Sequence, residues 1–215
     1  MSDVLISPAI SPTLCSESPP LRLAVLASGQ GSNLAAIADA IVQGKLNATI
    51  QVVIYNNPAA KVAKKAEHYG IPTVLLNHRT FTSREALDTA IIATVQAHQA
   101  DWVIMAGWMR RVTDVLINAF PQRVLNIHPS LLPSFPGVRA VEQALAADTK
   151  ITGCTVHYVE LVVDSGPIIM QAAVPVLPDD TPATLQARIQ VQEHRIYPAA
   201  IALAGQHQLR DWREN

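Results

Sequence analysis

Leu21-Arg22-Leu23-Ala24-Val25-Leu26-Ala27-Ser28-Gly29-Gln30-Gly31-Ser32-Asn33 reads as a buried strand that runs through a glycine turn into the start of a helix. The apolar run is too short for a helix and ends at glycines, which fits a strand covered on both faces. Residues 33–43 then repeat apolar side chains at helical spacing. Working outward, the alternation continues: a strand at 50–55, a helix at 60–69, a strand at 72–76, a helix at 83–99 and a buried strand at 102–106. Such alternation predicts βαβ units and a doubly wound, mostly parallel α/β sheet. After a strand at 124–127, a proline-rich turn leads to a helix near 138–147. Strands at 152–159 and 168–174 follow, and their short link predicts an antiparallel C-terminal pair. A helix over 181–204, bent at Pro198, closes the pattern.

The prolines and serines of residues 1–20 interrupt any period, so a flexible tail is expected there and a single domain over 21–215. Within it, 21–120 would be the phosphate-binding half and 121–215 the half with the chemistry. The chain has 215 residues, 49% hydrophobic and 15% charged, with a net charge of -1. One good core fits that composition. Nothing in the charge favours a nucleic-acid backbone, which needs clustered Lys and Arg. No apolar stretch reaches the ~20 residues of a membrane span, and no basic start marks a secretory signal. Cys15 and Cys154 are the two cysteines, expected as free thiols in a reducing compartment, hence the cytoplasm. Monomer and weak homodimer both fit.

The loop Ser28–Asn33 opens a helix after a strand, where glycines and first-turn amides suit a phosphate. A dinucleotide fingerprint is the competing reading. It stops short, because Leu34 stands at the third glycine position and residues 51–57 hold no Asp or Glu for a ribose. A mere tight turn is the other alternative. Asn126 and His128 stand two apart at the end of an apolar strand, so both face one side, where open α/β sheets bind ligands. An amide can donate to a developing oxyanion, and an imidazole can do the same or move a proton. A satisfied structural histidine is the plain alternative. Asp164, in the turn Asp164-Ser165-Gly166-Pro167, could orient His128 or accept a proton through water, or simply shape the turn. Among the seven histidines no pair has i, i+4 spacing, and neither cysteine lies in a C-x-x-C, so metal catalysis is not expected. Trp108 and Met109 beside Gly107 could wall a flat apolar pocket or pack in the core. Gln190, Glu193 and His194 share one face of a helix, which is either a ligand face or a solvated one.

The ordered set Ser28-Gly29-x-Gly31-Ser32-Asn33, Ser83-Arg84-Glu85, Ala106-Gly107-Trp108-Met109-Arg110, Asn126-x-His128-Pro129-Ser130-Leu131-Leu132-Pro133, Asp164-x-Gly166-Pro167 and Gln190-x-x-Glu193-His194 resembles the glycinamide ribonucleotide formyltransferases. These are folate-dependent enzymes of purine synthesis, and the likeness covers residues 21–209. It implies a Rossmann-like formyltransferase fold and transfer of a formyl group from 10-formyltetrahydrofolate, as co-substrate, to glycinamide ribonucleotide. By resemblance, Asn126, His128 and Asp164 form the catalytic set. Gly31, Ser32 and Asn33 would hold the acceptor's phosphate, with further contacts from Gln190 and Glu193. Folate would lie along Arg84, Trp108, Met109 and Arg110, with Asn126 and Asp164 at its formyl end; Arg111, next in the chain, is given no role. Trp108 departs from an expected Phe, Gln30 lies between the loop glycines, and Ser165 follows Asp164 where glycine is common. Residues 138–141 lack the His-x-His that some relatives carry. The Asn-x-His-x-Ser-Leu-Leu-Pro element is shared with formyltetrahydrofolate deformylases and methionyl-tRNA formyltransferases, so a hydrolase and a tRNA-directed transferase are the enzymatic alternatives. A nucleotide-binding module without turnover is the third.

Overall fold

The computed structural model describes residues 4–10 and 19–214. Among these, two compact units share the chain: one holds residues 19–126, and the other joins residues 4–10 to 127–214.

The first unit is a parallel sheet. Its strands are β2 (Leu21–Ala27), β3 (Ala48–Tyr55), β4 (Thr73–Leu75), β5 (Trp102–Met105) and the start of β6 (Val124–His128), in the order β6-β5-β2-β3-β4. Leu23 faces Ile50 and Trp102, and Val103 faces Val124, with every pair running the same way. Leu23 to Ala27 and all of β5 are buried, the mark of parallel strands covered on both faces. Helices α1 (Ser32–Val42), α2 (Val62–His68) and α3 (Arg84–Ala97) follow the expected pattern, with ends displaced by one or two residues. Ser83 caps α3, its Oγ accepting from the Ala86 N–H at 3.1 Å.

Sequence periodicity missed α4 (Asp114–Ala119), because six residues are too few to show a period. It is held from outside. The buried Asp88 carboxylate on α3 accepts from the N–H of Thr113 at 2.6 Å and from its hydroxyl at 2.8 Å, at the point where α4 begins.

The second unit contains β1 (Ile6–Ser7), α5 (Ala140–Ala146), β7 (Ile151–Tyr158), β8 (Ile168–Pro175) and α6 (Pro182–Glu214), with the last residues of β6. β7 and β8 form the expected antiparallel pair, from Ile151 opposite Pro175 to His157 opposite Ile168. α6 packs on both strands and on α5. It runs to Glu214, well beyond residue 204, and continues through Pro198. At its start Arg188 donates to both Asp180 oxygens, at 2.6 and 2.9 Å. Residues 5–7, placed by the sequence in a flexible tail, instead pair with β8. Cys15 lies outside the described residues, and Cys154 is buried on β7 as a free thiol.

Candidate functional site

In the first unit, the turn after β2 is knotted to its neighbours through main chain. The Ser28 N–H donates to the Gly107 carbonyl at 3.0 Å, and the Ser28 hydroxyl accepts from the Met109 N–H at 2.9 Å. The Gly29 carbonyl accepts from Val62 at 3.1 Å, and that of Gly31 receives Ala35 at 3.1 Å as α1 starts. Gly31 is left-handed, at φ 71°, and a Cβ there would lie 2.7 Å from Val62 Cγ2. Both facts exclude a side chain. The helix thus begins abruptly at Ser32, with the positive end of its dipole at this turn. Of the expected apolar wall, Trp108 is packed inside and only Met109 stands out, at 73% exposure. Arg84, the first residue of α3, and Arg110 are exposed.

In the second unit, His128 ends β6 and is 5% exposed. Its Nδ1 lies 3.2 Å from Asp164 Oδ2, and its Nε2 lies 2.8 Å from the Phe135 carbonyl. Both ring nitrogens therefore face oxygen atoms. Asp164 also accepts from the Gly137 N–H at 2.8 Å. Its other oxygen lies 3.6 Å from Nε2 of His157, whose Nδ1 is 2.8 Å from the Tyr158 carbonyl. Burial pushes the Asp164 carboxyl up. Hydrogen bonds from His157 and Gly137 and the charge of the two imidazoles outweigh that and leave it below its ordinary value.

Local backbone makes this meeting possible. Phe135 and Asp164 are left-handed, at φ 56° and 54°. Gly166 sits against the end of β7, where a Cβ would fall 1.9 Å from the Tyr158 carbonyl oxygen. That contact, with the Tyr158 N–H donating to the Pro167 carbonyl at 2.9 Å, pins the Asp164 loop beside His157. The turn after His128 is pinned as well. The buried Thr155 hydroxyl donates to the Ser130 carbonyl at 2.7 Å and accepts from Leu132 N–H at 3.0 Å. Gln171 Nε2 reaches both Thr155 Oγ1 and the Leu132 carbonyl, each at 2.9 Å.

On α6, Gln190 is half-buried and Glu193 is 5% exposed, so this is no solvated face. Burial pushes the Cys154 thiol up, and the Glu193 charge pushes it further. The Tyr197 hydroxyl is pushed up in the same way, by burial first and then by Glu193. Among the described residues no group of three His, Cys, Asp or Glu could hold a metal ion, and no helix is long and apolar enough to cross a membrane.

Spacing and turn chemistry in the sequence point to His128 and Asp164 and give no sign of His157 or the Phe135 carbonyl. His157 could have been found as a second imidazole opposite the Asp164 turn once the hairpin was drawn.

The profile of the formyl transferase family matches residues 21–201. The chain belongs to that family. This formyl transferase is 41% identical to phosphoribosylglycinamide formyltransferase of Escherichia coli, over 85% of its own length and 86% of the relative's. It is 39% identical to the enzyme of the same name from Bacillus subtilis, over 84% and 92% of the two chains. It is also 46% identical to the human trifunctional purine biosynthetic protein adenosine-3, over 85% of this chain. Of that longer protein it spans 18%. A crystal structure of glycinamide ribonucleotide transformylase 1 from Symbiobacterium toebii superposes with a TM-score of 0.84 at 46% identity, covering 85% of this chain and 86% of that one.

Proposed function

We propose that this formyl transferase moves the formyl group of 10-formyltetrahydrofolate to the amine of glycinamide ribonucleotide, a step of purine biosynthesis, in the cytoplasm. The observation that carries the reading is the buried His128–Asp164 pair at 3.2 Å, at the end of β6, in a chain with such relatives. The amine nitrogen attacks the formyl carbon, and the carbonyl electron pair moves to oxygen. Asn126 and His128 stabilise that oxyanion by donating to it, His128 turning its Nε2 proton from the Phe135 carbonyl to the substrate. Asp164, held ionised by its imidazole and amide neighbours, takes the proton from the attacking ammonium by way of water. The proton passes to the departing folate nitrogen as the carbon–nitrogen bond breaks, leaving formylglycinamide ribonucleotide and tetrahydrofolate. Gly31, Ser32 and Asn33 hold the acceptor's phosphate, with further contacts to the acceptor from Gln190 and Glu193. Arg84, Met109 and Arg110 line the folate, and Trp108 supports them from inside.

A steady-state assay with 10-formyltetrahydrofolate, with and without glycinamide ribonucleotide, tests the reading by following folate and formate together. Folate release that needs the ribonucleotide and yields no formate is expected. Release without the ribonucleotide, accompanied by formate, means a deformylase instead.

A further inference from the structure

β8 runs Ile168-Ile169-Met170-Gln171-Ala172-Ala173-Val174 before Pro175, without a charged residue. One side of it is paired with β7. A long, uncharged strand whose one proline stands at its last position, open on its other side, is a template for any second strand, and for a copy of itself first. The middle of that side is covered by residues 5–7. Ile6 lies opposite Ala172 and Ser7 opposite Gln171, and the Ala173 N–H donates to the Leu5 carbonyl at 2.9 Å.

The Leu5–Ala173 bond marks that couple as a hydrogen-bonded pair. Such pairs alternate in an antiparallel ladder, so Ser7 and Gln171 form the next one. Pro8 has no N–H and stops the ladder there. Leu5 is 72% exposed and Ser7 is exposed too, so the segment binds through main chain far more than through packing. The result caps the middle of the β8 edge, residues 171–173, with a two-residue strand ended by proline.

We propose that residues 5–7 are an edge guard: they occupy the middle of β8 and keep it from pairing with β8 of a second copy of this chain. The uncovered strand would meet its copy antiparallel about a two-fold axis, the same residues on both sides. This inference does not depend on which substrates the chain uses.

The Ser7→Pro variant of this chain tests it, because it deletes one ladder donor and no packed side chain. Amide exchange at Ala173 and sedimentation velocity over a concentration series are compared with the parent. The guard predicts at least a tenfold loss of protection at Ala173 and a mass that climbs above the parent's with concentration. Adding Ile168→Lys, a charge at the half-exposed start of β8, should return the mass to the parent's. Unchanged protection at Ala173 would show that the segment does not cover the edge. Lost protection with the parent's mass at every concentration would show a cover that guards nothing. Association that survives Ile168→Lys would place the contact elsewhere.

Discussion

The turn Ser28–Asn33 and the cluster around Asp164 are built on opposite plans. The first is one continuous stretch, held by Gly107, Met109 and Val62 through main-chain groups, and its requirement is the absence of a side chain at Gly31. The second gathers His128, Phe135, Gly137, His157 and Asp164 from four places along the chain, and its chemistry lies in side chains. A main-chain site is broken by adding an atom, a side-chain site by removing a charge or a proton. The two kinds of damage should therefore separate in kinetics.

The largest effect is expected at His128. His128→Ala should lower kcat by about 1,000-fold, the upper range for losing one oxyanion donor, while the affinity for glycinamide ribonucleotide stays within about twofold. Stopped-assay kinetics and calorimetric titration of the ribonucleotide check the two halves. Gly31→Ala should do the reverse. Its Cβ would meet Val62 at 2.7 Å in a left-handed conformation, so the turn must shift. Ribonucleotide affinity should fall by tenfold or more and stability by about 2–4 kcal/mol, from αL strain and overpacking together. If both variants lose binding equally, the division between a holding site and a reacting site is wrong.

That same division explains what could be read from sequence. Strand, glycine turn and helix lie within residues 21–43, so their order and the glycine requirement are local and legible. So was the strand that carries Asn126 and His128, because a short apolar run ending at a proline-rich turn is a local signal. His157 was not, since its partner comes from across the β7–β8 hairpin and nothing within β7 distinguishes it from a core residue. The Phe135 carbonyl was illegible for a stronger reason: a main-chain acceptor has no residue type. Residues 5–7 pair with β8 through main chain, and the four prolines between them and the next element hid a strand of two residues.

A smaller effect sharpens the comparison on the side-chain half. Thr155 touches no reacting group in the proposed chemistry, yet its hydroxyl fastens the Ser130–Leu132 turn that follows His128. Thr155→Val keeps the shape and leaves the buried Leu132 N–H without that acceptor, costing about 1–3 kcal/mol of stability. Turnover should fall with little change in KM, and Thr155→Ser should restore both. A loss of stability with kcat intact would reduce Thr155 to packing.

The smallest effect is a pair of opposed pH slopes from two buried carboxylates, one in each unit. Asp164 is held below its ordinary value by imidazoles and an amide, which outweigh its burial. Asp88 is raised, because burial outweighs the two hydrogen bonds from Thr113. An unfolded aspartate titrates near about pH 3.9, and stability changes with pH only between that value and the folded one. For Asp164 that window lies below about pH 3.9. There the native state binds fewer protons, so its contribution is complete above the window and fades as pH falls through it. For Asp88 the window lies above the same value, the native state binds more protons, and stability drops as pH rises. Urea midpoints of the parent, Asp164→Asn and Asp88→Asn from pH 3 to pH 6 should show both. The difference between parent and Asp164→Asn grows with rising pH at the acid end and then levels. That between parent and Asp88→Asn starts level and shrinks above it. Slopes of the same sign would mean that Asp164 is governed by burial, as Asp88 is, and would remove the ionised carboxylate on which the proposed proton transfer depends.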